Sequence, residues 1–519
     1  MEVILAGFLD TFTLTNILFI FLGIAMGVFV GAVPGLNGPM AIALAVPMTF
    51  YMSPLAAIAF LIGINKGGTY GGSIAAILLN TPGTPEAAAT CYDGHPMAKQ
   101  GKGEKALKMA LYASVFGDTF SDFILILVAA PIAVVALKMG PPEILSVIIF
   151  ALTIIAGLEA KQLIKGLIGA GLGIFFASIG MDPNTATPRL TFDLWQLENG
   201  ISLMALGIGT LALSEVLVQL EERGGSQDKI FELDKTQKKE NRRISLREFR
   251  GVLRTLTRSS LIGSAMGALP GLGAVIAAFL GYGAAKRASK DPDSFGKGNI
   301  EGIAAAEAAN NAVIGSNLIP LFTLGIPGNV ASAMLIGAFI IHGVTPGPLM
   351  FEEHGRLVYG IYGGMLVGNV LNLFIGAIGL RIFVRVLSIP RNIIYPIIIF
   401  ICLTGAYIAD NSLFAVGVMI SFAVLGYFMK KLEFSFVTFI IGFVLGPMFE
   451  MSLQQTLIMS RNNIFIIFQR PIALVFIAFT VVFVWRVVRR SGKAAREALS
   501  KEMEGACLED STDSKKTSG

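Results

Sequence analysis

Long apolar runs separated by short polar intervals fill most of this chain. The runs at 12–33, 119–139, 141–158, 201–220, 358–379 and 467–488 each approach the roughly 20 apolar residues that carry a helix across a bilayer. With the less continuous runs between them, the pattern predicts about 12 helical crossings or half-crossings. Two short phrases interrupt the apolar sequence, and each occurs twice. Residues 31–38 read GAVPGLNG and residues 267–274 read GALPGLGA. NTPGTPE at 80–86 has a weaker partner in GIPGNVA at 325–331. Proline removes a backbone donor and glycine releases the chain from helical geometry, so each phrase predicts a broken helix. At membrane depth such backbone survives only where protein or a water-filled cavity covers it.

The duplication divides the chain. Pro34 aligns with Pro270, 236 positions on, and Pro82 with Pro327, 245 positions on, so the second half carries nine extra residues between its breaks. They fit the polar insertion KRASKDPDSFGKGN at 286–299. The organisation read from this is a first membrane repeat at 1–220, a polar linker at 221–258, a second repeat at 259–488 and a polar tail at 489–519. The linker holds eleven Lys and Arg against seven acids, and the positive-inside rule places it and the tail in the cytoplasm. The loop at 92–108 has four lysines, whereas 342–357 has Glu352 and Glu353 against Arg356 alone. Equivalent loops with opposite charge bias predict two inverted repeats, with re-entrant helices meeting at the bilayer midplane.

Composition narrows the function. Hydrophobic residues make up 54% of the 519 and charged residues only 14%, where a soluble domain carries about 25%. The net charge of +5 lies mostly in loops, which favours cytoplasmic orientation over nucleic-acid binding. Cys91, Cys402 and Cys507 are scattered, as are His95, His342 and His354, and neither set has metal-ligand spacing. The first twelve residues lack the basic region of a signal peptide, so the first helix is expected to be retained. The chain contains no nucleotide-binding loop, HExxH pair or serine elbow, which argues against an enzyme.

The breaks supply the candidate chemistry. A helix opening at Pro39 would leave the amides of Gly35, Leu36, Asn37 and Gly38 without intrahelical partners, and Gly271, Leu272 and Gly273 repeat the arrangement. Open amides at a helix N-terminus attract carboxylates. Asn80, Thr81 and Thr84 in one half, and Asn317, Thr323 and Asn329 in the other, offer neutral oxygens of the kind that hold sodium at discontinuous helices. Lys66 reads either as a substrate counter-ion or as an interfacial side chain whose stem snorkels to water. Glu307, Asn310, Asn311 and Asn317 form a polar stripe suited to a hydrogen-bonded helix seam or to a cation. Asp118 and Asp122, near a segment end, read as interfacial; Glu159 and Glu215 are further charges within apolar runs.

KGGTYGGSIAAILLNTPGTPEAAATCYDGHPMAKQGKGEKAL, GAVPGLNG, GALPGLGA, EAANNAVIGSNLIPLFTLGIPG and HGVTPGPLMF together resemble the large membrane subunit of the tripartite tricarboxylate transporters, over roughly residues 10–490. The resemblance implies a secondary carrier in the bacterial inner membrane. It would work with a small membrane subunit and a periplasmic solute-binding protein, importing citrate or related carboxylates, commonly with sodium. The alternatives are a stand-alone carboxylate carrier, an intramembrane enzyme or a channel.

Overall fold

Serine, threonine and asparagine set the starts of the helices. Their side chains accept the amide two or three residues on at Thr13, Asn37, Ser53, Asn299, Asn329, Ser412 and Ser435. The computed structural model describes residues 2–159, 163–183, 185–221, 239–271, 273–387 and 389–489. The first half comprises α1 (Glu2–Thr11), α2 (Leu14–Ala32), α3 (Gly38–Ala45), α4 (Pro54–Leu79), α5 (Ala88–Met97), α6 (Gly103–Ala136), α7 (Pro141–Glu159), α8 (Leu163–Ala177), α9 (Leu203–Gly207) and α10 (Ser214–Glu221). The second half comprises α11 (Lys239–Arg242), α12 (Leu246–Gly267), α13 (Gly273–Ala288), α14 (Ile300–Ser316), α15 (Leu318–Leu324) and α16 (Val330–Ile341). It continues with α17 (Met350–Glu353), α18 (Gly355–Val386), α19 (Arg391–Asp410), α20 (Leu413–Lys431), α21 (Phe436–Met459) and α22 (Pro471–Arg489). Two-residue strands β1 (Gly180–Met181) and β2 (Pro188–Arg189) pair antiparallel, and the other elements among the described residues are helices.

By length and composition, eight helices can cross a membrane, and four shorter apolar helices accompany them, among the described residues. The short ones include the segments that follow the first break of one half and the second break of the other, Gly38–Tyr51 and Val330–Ile341. The linker differs from its sequence reading at one end. Residues 246–258 form the first turns of α12, started by a capping box between Ser245 and Glu248. Residues 222–238 and the tail at 490–519 lie outside the described residues.

Matched glycines hold the two halves in the same local packing. A Cβ on Gly27 or Gly31 of α2 would overlap the carbonyl oxygens of Ile64 and Gly68 on α4. The positions 236 further on, Gly263 and Gly267 of α12, face the carbonyl oxygens of Ala309 and Val313 on α14, 245 beyond those α4 residues, with the Ser316 hydroxyl nearer still to Gly267. Gly83 sits against Gly72, and its counterpart Gly328 sits against Asn317, again 245 on. Asn80 and Gly325 both end their helices with positive φ, 58° and 70°. The halves are interleaved rather than side by side. The long α6 of the first half lies along α12 and α14 of the second, while α18 of the second lies along α2 and α4 of the first.

Candidate functional site

The helices that follow the four breaks pair across the halves in two clusters, while the breaks themselves touch within each half, Gly83 on the Gly31 carbonyl and Gly271 on Gly328. In one cluster α3, after the first break, packs on α16, after the last. In the other, α13 packs on α5 and the turn at Pro85–Ala87. Each cluster also takes an asparagine from a long helix. Asn65 of α4 lies against Gly38, and Asn310 of α14, 245 positions later, donates to the Glu86 carbonyl at 3.4 Å.

The first break keeps part of its expected chemistry. Gly35 has φ 91°, and the Gln219 amide fills the space a side chain would take. Leu36 is buried and its amide donates to the Val33 carbonyl, while the Asn37 side chain accepts the Met40 amide at 2.9 Å. The amides of Asn37 and Gly38 have no protein acceptor among the described residues. Beside this break Glu215 is engaged by Lys430 at 2.6 Å and by Gln219 at 3.0 Å.

The second half corrects the expectation of a matching open cradle. The Gly271 amide donates to the Gly328 carbonyl at 2.9 Å, and α7 crowds Gly271 through Ile155. Gly273 opens α13 with φ 66°, and Leu272 lies outside the described residues. The duplicated phrase therefore serves two ends: a helix start with unanswered amides in one half, a backbone clasp between breaks in the other.

The candidate cation ligands are spread over both clusters. Asn80 and Thr81 are exposed, and Asn80 lines a cavity of about 510 Å³ with Pro82, Cys91, Tyr92, His95 and Lys99. Thr84 is buried over Gly72. Asn317 joins α14 to α15 with its amide nitrogen unpartnered, and Thr323 donates to the Ile319 carbonyl at 2.7 Å. Asn329 caps α16 in a reciprocal pair with Ser332.

Charges at depth depart most from the sequence reading. Lys66 does not snorkel: it is 1% exposed, bonded to Asp122 at 2.5 Å and to Asn369 at 2.7 Å. Its charge is taken by Asp122, which removes the substrate counter-ion reading. Asp118 and Asp122 are not interfacial either; both are buried between α6 and its neighbours. Burial came from α18, whose Asn369 also donates to Asp122 at 2.8 Å and to Thr119 at 3.2 Å. The Glu307 stripe is a hydrogen-bonded seam, with Thr90, Ser114 and Asn311 donating to its carboxylate. The side chain of Glu159 lies outside those described.

Sequence reasoning missed Asp93. Its Oδ1 accepts the amides of Gly296, Gly298 and Asn299 at 2.8, 2.9 and 2.8 Å, and its Oδ2 accepts the Tyr282 hydroxyl at 2.9 Å. Gln100 adds a bond to the Lys297 carbonyl at 2.8 Å. Lys105 pairs with Glu248, and Arg242 with Glu104. The lysine-rich loop, the insertion and the linker's second part thus share one face. The oddly glycine-rich end of the insertion, FGKGN, was the available signal for a loop folded around an anion.

A sequence profile of the tripartite tricarboxylate transporter TctA family matches residues 17–441, and the chain belongs to that family. It is a multi-pass membrane protein and a subunit of a tripartite tricarboxylate transporter. An uncharacterized 52.8 kDa protein in the TAR-I ttuC' 3' region of Agrobacterium vitis is 34% identical over 467 residues, covering 90% of this chain and 92% of that one. An uncharacterized protein in the TAR-II ttuC' 3' region of the same organism is 38% identical over 211 residues, covering 41% of this chain and 87% of its own. No solved structure matches the chain.

Proposed function

We propose that this subunit imports citrate-like tricarboxylates or related carboxylates across the bacterial inner membrane, driven by sodium and fed by a periplasmic solute-binding protein. A small membrane subunit completes the assembly. The observation that carries the reading is the pairing across the halves of the helices that follow the breaks, α3 with α16 and α13 with α5. Discontinuous helices at a repeat interface are where secondary carriers hold substrate and ions. A substrate carboxylate is received by the amides of Asn37 and Gly38, whose helix start favours negative charge. Asn65 borders that spot. Thr84 and Asn329, at matched positions, are the leading sodium ligands of the two breaks, with Asn80, Thr81, Asn317 and Thr323 around them.

The two halves are taken as inverted about the membrane plane, so exchange of their conformations opens the site outward and then inward. The shared face of 92–108, 239–250 and 286–299 carries the basic residues and is assigned to the cytoplasm. The test is uptake of radiolabelled citrate, tartrate and C4-dicarboxylates into proteoliposomes holding both partners, with and without a sodium gradient. Sodium-driven accumulation of at least one of them, lost without the binding protein, is expected. Equal uptake without sodium or without the binding protein overturns the corresponding part.

A further inference from the structure

Several buried polar groups without partners lie together, away from the breaks. Both oxygens of Asp118, Oδ1 of Asp122, Oδ1 of Asn311, the Tyr70 hydroxyl and both side-chain polar atoms of Asn372 have no hydrogen-bond partner. Each of these five residues is at most 1% exposed. A buried carboxylate with neither oxygen engaged is the costliest member of such a set.

Helix register brings the groups to one level. On α18, Asn369 meets Thr119 and Asp122, while Gly376 packs on Leu111 and Tyr70. Hence α18 runs antiparallel to α6 and parallel to α4. Asn372, on the same face as those two residues, falls level with Asp118 and with the turn from Lys66 to Tyr70. On α14, Asn311 donates to Ser114 at 2.9 Å, and Gly315 receives Asp122, so their span faces the Asp118 turn. Asp118 lies within electrostatic range of Lys66 and Asp122.

We propose that this chamber between α4, α6, α14 and α18 binds one sodium ion. The Asp118 carboxylate is its anionic ligand, and the side-chain oxygens of Asn311 and Asn372 are neutral ligands. The charges agree with a monovalent cation: Lys66 neutralises Asp122, leaving Asp118 to be balanced by one positive charge. Glu307 is set apart by its three donors, Thr90, Ser114 and Asn311. A proton on Asp118 would let its hydroxyl donate to one asparagine oxygen and leave the other unmet. A hard cation engages all of them at once, through the oxygen ligands such ions prefer. Gly315 matters here because a side chain at that position would push Asp122 and Ser121 out of the layer.

The inference deepens the sodium-coupled reading by adding an ion site distant from the breaks. Its test is sodium-22 equilibrium binding to the purified full chain in detergent, with choline as the replacement cation and no carboxylate present. Saturable binding is expected in the native chain. Asp118→Asn is expected to raise the sodium concentration for half-occupancy by about tenfold or more, and Asn372→Ala and Asn311→Ala by smaller factors. Size-exclusion profiles verify folding, and the two milder variants carry the test if Asp118→Asn does not fold. No saturable binding to the native chain, or binding unchanged in Asp118→Asn and Asn372→Ala, overturns the site. Because no carboxylate is used, that failure leaves the importer reading standing, and failure of citrate uptake leaves the sodium site standing.

Discussion

Asp93 and Asp118 are both fully buried carboxylates, one near each end of the polar material on α5 and α6. Asp93 is surrounded: three loop amides and a tyrosine hydroxyl answer its two oxygens. Asp118, one helix on, is answered by no hydrogen-bond donor. The same residue type at the same burial thus does opposite work. Four donors fix a loop around Asp93 and make it part of the fold, whereas an unanswered carboxylate destabilises the empty state and suits a passing cation.

That contrast is sharpest in stability. Asp93→Ala takes the shared acceptor from three amides of a half-exposed loop and from the Tyr282 hydroxyl, and is expected to cost about 2–3 kcal/mol, seen as a clear drop in detergent melting temperature. Asp93→Asn, which keeps an acceptor oxygen, should recover part of the loss. A melting curve for Asp93→Ala indistinguishable from native would erase the distinction between the two aspartates.

Lys66→Met comes next. It leaves Asp122 buried without its cation, at about 3–5 kcal/mol. The double variant Lys66→Met with Asp122→Asn is expected to regain most of that, and no gain over the single variant would mean the ion pair is not what Lys66 supplies.

Gly31→Ala and Gly267→Ala probe the matched halves, each expected to cost about 1–3 kcal/mol by overpacking against α4 and α14. A loss in one half only would break the equivalence of the two helix pairs.

Asp118→Asn removes the unanswered charge and should raise the detergent melting temperature in sodium-free buffer, while sodium-dependent uptake disappears. A loss as large as that of Asp93→Ala would make Asp118 structural. Smallest in energy is Gln100→Cys beside Ser294→Cys. Placed on one face by the Gln100–Lys297 and Asp93–Gly296 contacts, the two should react with an impermeant maleimide from the same side of the membrane.

What the sequence discloses follows from the range of the forces involved. Breaks are local: Pro34, Gly35, Pro270 and Gly271 interrupt helices through their own backbone chemistry, so their positions were readable. The apolar runs were readable for the same reason. Burial of Lys66 was not, because its depth is set by α18, whose Asn369 stands 303 residues away. The open Gly271 amide was misjudged because its acceptor, the Gly328 carbonyl, comes from another break. A stripe of Ser114, Asp118 and Asp122 at four-residue spacing along α6 was visible, yet spacing alone does not say whether lipid headgroups or another helix cover it.

The interleaving of α6 and α18 also has a consequence for biosynthesis. At about 5–20 residues per second, Asp122 emerges roughly 3–11 s after Lys66, from which it is separated by 56 residues. Asn369 emerges roughly 15–60 s after Lys66, across those 303 residues. The nascent first half therefore waits in the bilayer with its ion pair made but its cover missing. A lysine and an aspartate that neutralise each other within seconds keep those two charges from facing lipid alone, until the other half arrives to seal them.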